Sequence, residues 1–391
     1  MPGVAERLAG WAVALEPDAE DLALARRSLV DTVAVALAGA AHPVARPAAE
    51  LDRSGRWAAH AHVLDFDDLH MASTSHVSAV CVPAALAAGG DARAYLAGAG
   101  VMARLGAALG WAHYSRGWHA TCTAGAPGAA AAAAVALGAG TERIAAAMAL
   151  AVPAAGGVQR AFGTMAKSLQ VGLAADAGVR AARMAMAGAS ADPTALDDWL
   201  ALLGGDPARL QLDGPGVPGG LAIKLYPCCY ALQRPIAAAR ELRDGGPPDR
   251  VVVRTPRGTL QPLIHDRPRT GLEGKFSLGY GVAAALLDER PGFASFTDEA
   301  VARPEAQALL ARVELDATPG GEDLLAGDVS IEVSRGCATA RTSLELPPGA
   351  PSRPPSEEEL AAKVADCAGS RAAQVLAVEW RSAPELLDAA L

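Results

Sequence analysis

The most constraining stretch of this chain is also its most monotonous. From Thr123 to Gly140 it runs TAGAPGAAAAAAVALGAG, almost wholly alanine and glycine, with Pro127 the main interruption. Alanine has the highest helix propensity of any residue. Small side chains also let backbones approach closely, so the run reads as a helix packed among other helices. It is long, but alanine is barely hydrophobic enough for lipid, and a buried helix is expected rather than a membrane span. The whole chain shares this character. Hydrophobic residues, mostly alanine, make up 51% and aromatics only 4%, which predicts a mainly helical protein. At 391 residues it can bury a full core in one large domain or two ordinary ones.

A net charge of −9 argues against a nucleic-acid partner, which calls for a basic patch. It leaves room for a small anion wherever Lys, Arg and His converge. The six cysteines, Cys81, Cys122, Cys228, Cys229, Cys337 and Cys367, are scattered without a C-x-x-C. That spacing suggests neither a zinc ribbon nor a disulfide framework and fits reduced thiols in a cytoplasm. The first residues, MPGVAERLAGWAVALEPDAED, are broken by Glu6, Arg7 and Glu16 and do not read as a signal peptide.

Against this apolar background one segment stands out. HAHVLDFDDLHMASTSH, His60 to His76, holds four of the eight histidines together with Asp65, Asp67 and Asp68. Burying so many polar groups costs several kcal/mol unless they are paired or used. The segment therefore reads as one wall of an active site. A metal reading draws on His60, His62, Asp65, Asp68 and His70, whose ligand types suit zinc or iron, although their spacing follows no standard motif.

The remaining chain supplies the frame. Helical periodicity runs over Ala5–Leu15 and Glu20–Gly39, with Asp18 as a cap. Residues 41–55 read as a loop, 77–88 as a buried helix with Pro83 inside it, and 95–110 as another helix. A polar loop with His113, Arg116 and His119 then leads through Thr121 and Thr123 into a helix expected to start near Pro127. Free N–H groups at such a start favour an anion. After a helix over 144–155, Lys167 opens a further helix, in which Gly172, Ala175 and Gly178 suggest close packing. The Gly- and Pro-rich segment 205–220 reads as a connection. Strand composition appears at 250–255, 328–333 and 341–346, with an apolar helix over 275–288 between the first two. Residues 221–351 are thus a small α+β unit. Ser356 and Glu359 form a capping box for C-terminal helices that return to the first domain, 1–220, completed by 352–391.

Taken together, these segments resemble the MmgE/PrpD family, which includes 2-methylcitrate dehydratase and cis-aconitate decarboxylase. DFDDLHMASTSH with VSAVCVPAALA is similar to the family signature. LVDTVAVALAGA, GWHATCTAGAPGAAAAAA, the Gly163–Gly172 lysine segment, KLYPCCYALQRPI, KFSLGYGVAAALLD and the Pro351–Lys363 stretch each resemble a family block. The resemblance implies a large all-helical domain built from both chain ends, with an inserted α+β lid. It further implies a homodimer, a site in the crevice between the domains, and dehydration, decarboxylation or epimerisation of a small di- or tricarboxylate without cofactor or metal.

The residues that carry these roles in the resemblance are Asp65, His76, His119, Lys167, Lys224 and Tyr280. Asp65, His76, His119 and Tyr280 match the catalytic positions. Lys167 and Lys224 match substrate-binding positions, and Cys229 and Arg116 are assigned to substrate binding beside them. Such a set suits proton removal next to a carboxylate, because Lys or protonated His stabilises the charge that develops. This chain departs from the family at Leu69, Val77, Gln170, Cys229 and Gln233. Cys229 stands where the decarboxylase has a catalytic histidine. A dehydratase-type lyase is the expected activity, with an isomerase or epimerase, or a decarboxylase, as the alternatives.

Overall fold

The computed structural model describes residues 2–243, 246–319 and 323–391. They form two compact units. One comprises residues up to 160, 165–223 and 356–391; the other comprises 161–164 and 224–355.

The first unit is helical. Its centre is the alanine-rich helix Ala120–Ala136, buried along Ala120–Ala134. This helix starts directly after His119, seven residues earlier than Pro127 suggests. Pro127 lies inside it, and its missing N–H removes one backbone bond from a helix held on all sides by neighbours. The long helix Ala166–Met186 packs against it and against Arg53–Val63. Small residues make both contacts possible. A Cβ on Gly178 would lie 2.4 Å from the Ala129 Cβ, and one on Gly172 would lie 2.7 Å from the Gly55 carbonyl oxygen. Asp176, one turn further along, accepts from the Asp52 N–H at 2.7 Å, the Ser54 hydroxyl at 2.6 Å and the Gly55 N–H. A side chain of one helix thus satisfies the open N-terminus of the other, where unpaired donors would otherwise be buried. These locks fix the register of three helices, and all three bring a chemically active residue to the same place.

Residues 41–55 are not simply a loop, since they contain the short helix Ala45–Ala48 and the start of Arg53–Val63. The helix Ala92–Ser115 runs longer than its periodicity indicates and breaks at Gly110, where φ is 64°. Helix Glu357–Ala368 carries the capping box formed by Ser356 and Glu359 and packs on Ala19–Gly39. Among the described residues no helix is long and apolar enough to cross a membrane.

The second unit contains a four-stranded mixed sheet. Its strands are β1 (Arg250–Pro256), β2 (Val313–Thr318), β3 (Val329–Arg335) and β4 (Ala338–Leu344), in the order β2-β1-β3-β4. β1 runs parallel to β2 and antiparallel to β3, and β3 and β4 are an antiparallel pair. Helices Tyr230–Glu241 and Leu278–Leu287 pack against this sheet and each other. β2 was not expected from composition. It is an edge strand, and Glu314 and Asp316 on it pair with Arg250 and Arg254 of β1. Its charge, which reads as loop in sequence, is half of a cross-strand ladder.

Candidate active site

The stretch 60–76 divides in two. His60 and His62 are two residues apart on one helix, so their side chains point about 200° apart around its axis. His60 donates from Nδ1 to the Arg56 carbonyl within its own helix. His62 turns the other way. The helix ends at Val63, and Asp65 follows with φ of 51°, a left-handed backbone that Asp tolerates better than most residues. That turn sends the next residues back along the helix. Lys363, fully buried and paired with Asp31 at 2.6 Å, donates to the Phe66 carbonyl at 2.7 Å and pins the turn from beneath.

Five titratable side chains then close a ring. Asp67 Oδ2 accepts from His62 Nδ1 at 2.7 Å. His62 Nε2 accepts from Lys167 Nζ at 2.7 Å, and Lys167 also donates to Asp65 Oδ1 at 3.1 Å. His76 Nε2 lies 3.6 Å from Asp65 Oδ1, and its Nδ1 lies 3.1 Å from Asp67 Oδ2. The His76 ring meets His62 edge-on at 4.6 Å between centroids, and His119 stacks on His62 at 5.7 Å. All six residues are buried. Thr121 fixes His76 by accepting from its backbone N–H at 3.0 Å. Cys122 Sγ sits 3.2 Å from His119 Nδ1.

The electrostatics follow from burial and neighbours. Burial alone would raise Asp67, but the His62 and His76 imidazoles override it and hold the carboxylate well below its usual range. Burial, which outweighs the pull of Asp67, lowers His62. Burial and then the Lys167 ammonium push His119 well below the ordinary imidazole value, so its ring is neutral at neutral pH. The site therefore holds ionised carboxylate, neutral imidazole and ammonium within a few ångströms.

Of the residues assigned from sequence, Asp65, His76, His119 and Lys167 come together here. Arg116 does not join them. It lies exposed at the C-terminal end of Ala92–Ser115, beside Gly204, and its charge acts on His113. Lys224, Cys229 and Tyr280 belong to the second unit. Lys224 is fully buried. Cys229 starts helix Tyr230–Glu241, and its N–H donates to the Lys275 carbonyl at 3.1 Å. Tyr280 donates its hydroxyl to the Ser295 carbonyl at 2.5 Å, and burial pushes its pKa up to about 12. Gln233 clasps the Lys224–Cys228 turn, accepting from the Leu225 and Tyr226 N–H groups at 3.2 and 3.1 Å.

The metal-ligand set read from the sequence is not assembled. His70 is bound to Ser73 and the Pro218 carbonyl, Asp68 to Ser78, and His60 to its own helix. The four donors that do converge, within 4.8 Å of one another, are His62, Asp65, Asp67 and His76. Asp67 is absent from the residues assigned from sequence, and His62 enters only the metal reading. The signal for them was the spacing His62-x-x-Asp65-x-Asp67 at the end of a helix, together with a lysine otherwise expected at the surface.

The helical unit buries imidazoles, carboxylates and a lysine amine around one point. Comparison of sequences places it more narrowly. The MmgE/PrpD N-terminal domain matches residues 56–200 and the MmgE/PrpD C-terminal domain matches residues 226–388, and the chain belongs to the MmgE/PrpD family. Members of this family are generally hydro-lyases or related enzymes. No curated protein gives a match to the chain.

Proposed function

We propose that this chain is a hydro-lyase that dehydrates a small hydroxy di- or tricarboxylate, of the 2-methylcitrate kind, without a metal. The observation that carries the reading is the buried ring of Asp65, Asp67, His62, His76 and Lys167 with His119 stacked on it.

His119, neutral because it is buried beside an ammonium, takes the proton from the carbon next to a substrate carboxylate. The electron pair moves onto that carboxylate, and Lys167 stabilises the charge. His76, flanked by Asp65 and Asp67, is the donor to the departing hydroxyl. A carbon–carbon double bond forms and water leaves. Lys167 also supplies, inside the His62, Asp65, Asp67 and His76 donor set, the positive charge that a divalent cation would otherwise bring. Lys224 is the second carboxylate anchor in this reading, with Cys229 and Tyr280 beside the substrate, and the active protein is a homodimer.

The test is a panel of hydroxy-tricarboxylates and unsaturated di- and tricarboxylates, followed by near-UV absorbance and by NMR in deuterated water. Growth of conjugated-alkene absorbance on one hydroxy acid is the expected result. Deuterium uptake without loss of substrate would make the enzyme an isomerase or epimerase, and release of carbon dioxide a decarboxylase. Activity lost to a chelator and restored by a divalent cation would remove metal independence. Lys224→Ala is expected chiefly to raise KM; an unchanged KM would remove Lys224 as an anchor.

A further inference from the structure

We propose that His62 is a positioning residue, which with Asp67 behind it holds the Lys167 ammonium in place for a substrate carboxylate. This rests on the reading of Lys167 as a carboxylate anchor. Nothing in the family resemblance assigns His62 a role; the geometry does. An ammonium has three donors and no acceptor, so the 2.7 Å contact requires a lone pair on His62 Nε2. The ring proton must then sit on Nδ1, and there it meets Asp67 Oδ2 at 2.7 Å. Both partners demand the same neutral tautomer. The carboxylate strengthens Nε2 as an acceptor, as it does in carboxylate–histidine pairs behind other functional groups.

The arrangement is also rigid. His62 is 1% exposed, Asp67 fully buried, and the helix that carries His62 is locked to the helix that carries Lys167 through Gly172 and Asp176. A lysine has four rotatable bonds and is ordinarily a poor fixed charge. Here one of its donors is taken by a ring that cannot move and another by Asp65.

The test labels the histidine ring nitrogens and lysine Nζ with ¹⁵N in the full-length chain. His62 is expected as the Nδ1–H tautomer, and the Lys167 ammonium as a resolved, slowly exchanging signal. His62→Gln, whose side-chain oxygen can replace Nε2 as the acceptor, keeps that signal, and His62→Leu loses it. With citrate as the probe anion, the dissociation constant rises about tenfold in His62→Leu, roughly what one charge-assisted hydrogen bond is worth, and recovers in His62→Gln. His62 as the Nε2–H tautomer, or a Lys167 signal indifferent to His62→Leu, would overturn the proposal. Should the leucine variant not fold, the wild-type tautomer and the glutamine variant decide the matter. The NMR readout needs no substrate. A chain that shows this coupling but turns over nothing in the substrate panel keeps His62 and loses the lyase reading.

Discussion

Two interleaved sets in the His60–His76 stretch share residue types and meet different fates. His62, Asp65, Asp67 and His76 pair with one another and with Lys167, a hundred residues away in sequence. His60, Asp68 and His70 are equally buried, but their hydrogen-bond partners are backbone groups and neutral hydroxyls. In the proposed reading, what separates a reactive group from a structural one is the partner. A titratable partner leaves a proton that can change owner, whereas a carbonyl or serine hydroxyl only satisfies a buried donor or acceptor. Substitutions in the first set should therefore reach activity, and substitutions in the second should reach only stability.

The largest expected effect is that of His119→Ala. Loss of a general base costs about 10² to 10⁴ in kcat, while near-UV circular dichroism and the unfolding midpoint stay close to wild type. Near-normal turnover in that variant would remove the main catalytic assignment. Asp67→Ala comes next. It strands two imidazoles and exposes no replacement partner, so it is expected to cost about 3 kcal/mol in urea unfolding and to lower turnover as well. Retained stability would mean that the ring is not the joint it looks like. His70→Gln tests the other set. Its amide can still donate to the Pro218 carbonyl, so a stability loss of about 1 kcal/mol with turnover within about twofold of wild type is expected. A large loss of turnover would erase the distinction between the two sets.

Acid should not distinguish the sets, and this provides a control. Burial lowers His62 in the first set, His119 stacked on it, and His60 and His70 in the second. Each is neutral when folded and takes a proton near pH 6.5 when unfolded. Their contribution to stability is therefore complete above pH 6.5 and falls as the pH drops below it, because the unfolded chain binds more protons. The slope should exceed about 1.4 kcal/mol per pH unit, the value for a single proton. His70→Gln should make that slope shallower without touching the catalytic set. In Asp68→Asn, which lacks the opposing contribution of the raised carboxyl, a flat profile between pH 5 and 6.5 would show that these imidazoles are not held neutral.

Much of this fold is legible where local chemistry decides it. The Ser356–Glu359 box, the apolar strands β1 and β3, and Gly172 and Gly178 as close-approach points each declare themselves. β2 does not, because the partners of Glu314 and Asp316 lie on β1, some sixty residues earlier. Nor does the start of the helix after His119, since tertiary packing overrides the signal of Pro127. For the site, residue types point to the right stretch but not to the right members. Which histidines turn inward depends on helix register and on the left-handed backbone at Asp65, and neither is written in composition. Arg116 was chosen for its nearness in sequence to His119, yet Gly117 and Trp118 are enough to leave one outside and the other inside.

The smallest expected effect makes the comparison sharpest, because Asp67 and Asp68 are neighbours. Both are fully buried. Two imidazoles keep Asp67 ionised, whereas burial raises Asp68 to about 7, against the opposing pull of Ser78. Asp68 accepts from the Ser78 hydroxyl and from the Ser78 N–H at 3.1 Å, and that hydroxyl lies 2.8 Å from Tyr95 Oη. Asparagine keeps one oxygen to accept the Ser78 N–H, and the Ser78 hydroxyl can turn its proton to Tyr95 Oη. Asp68→Asn should therefore change stability near pH 4 by less than about 1 kcal/mol. Its effect should appear only with rising pH. An unfolded aspartate ionises near 3.8 and the folded one near 7, so wild type loses stability across that window while the variant does not. Relative to wild type, Asp68→Asn gains between about pH 4 and 7. If it loses instead, Asp68 is ionised in the fold, and the line between the two neighbouring aspartates is drawn in the wrong place.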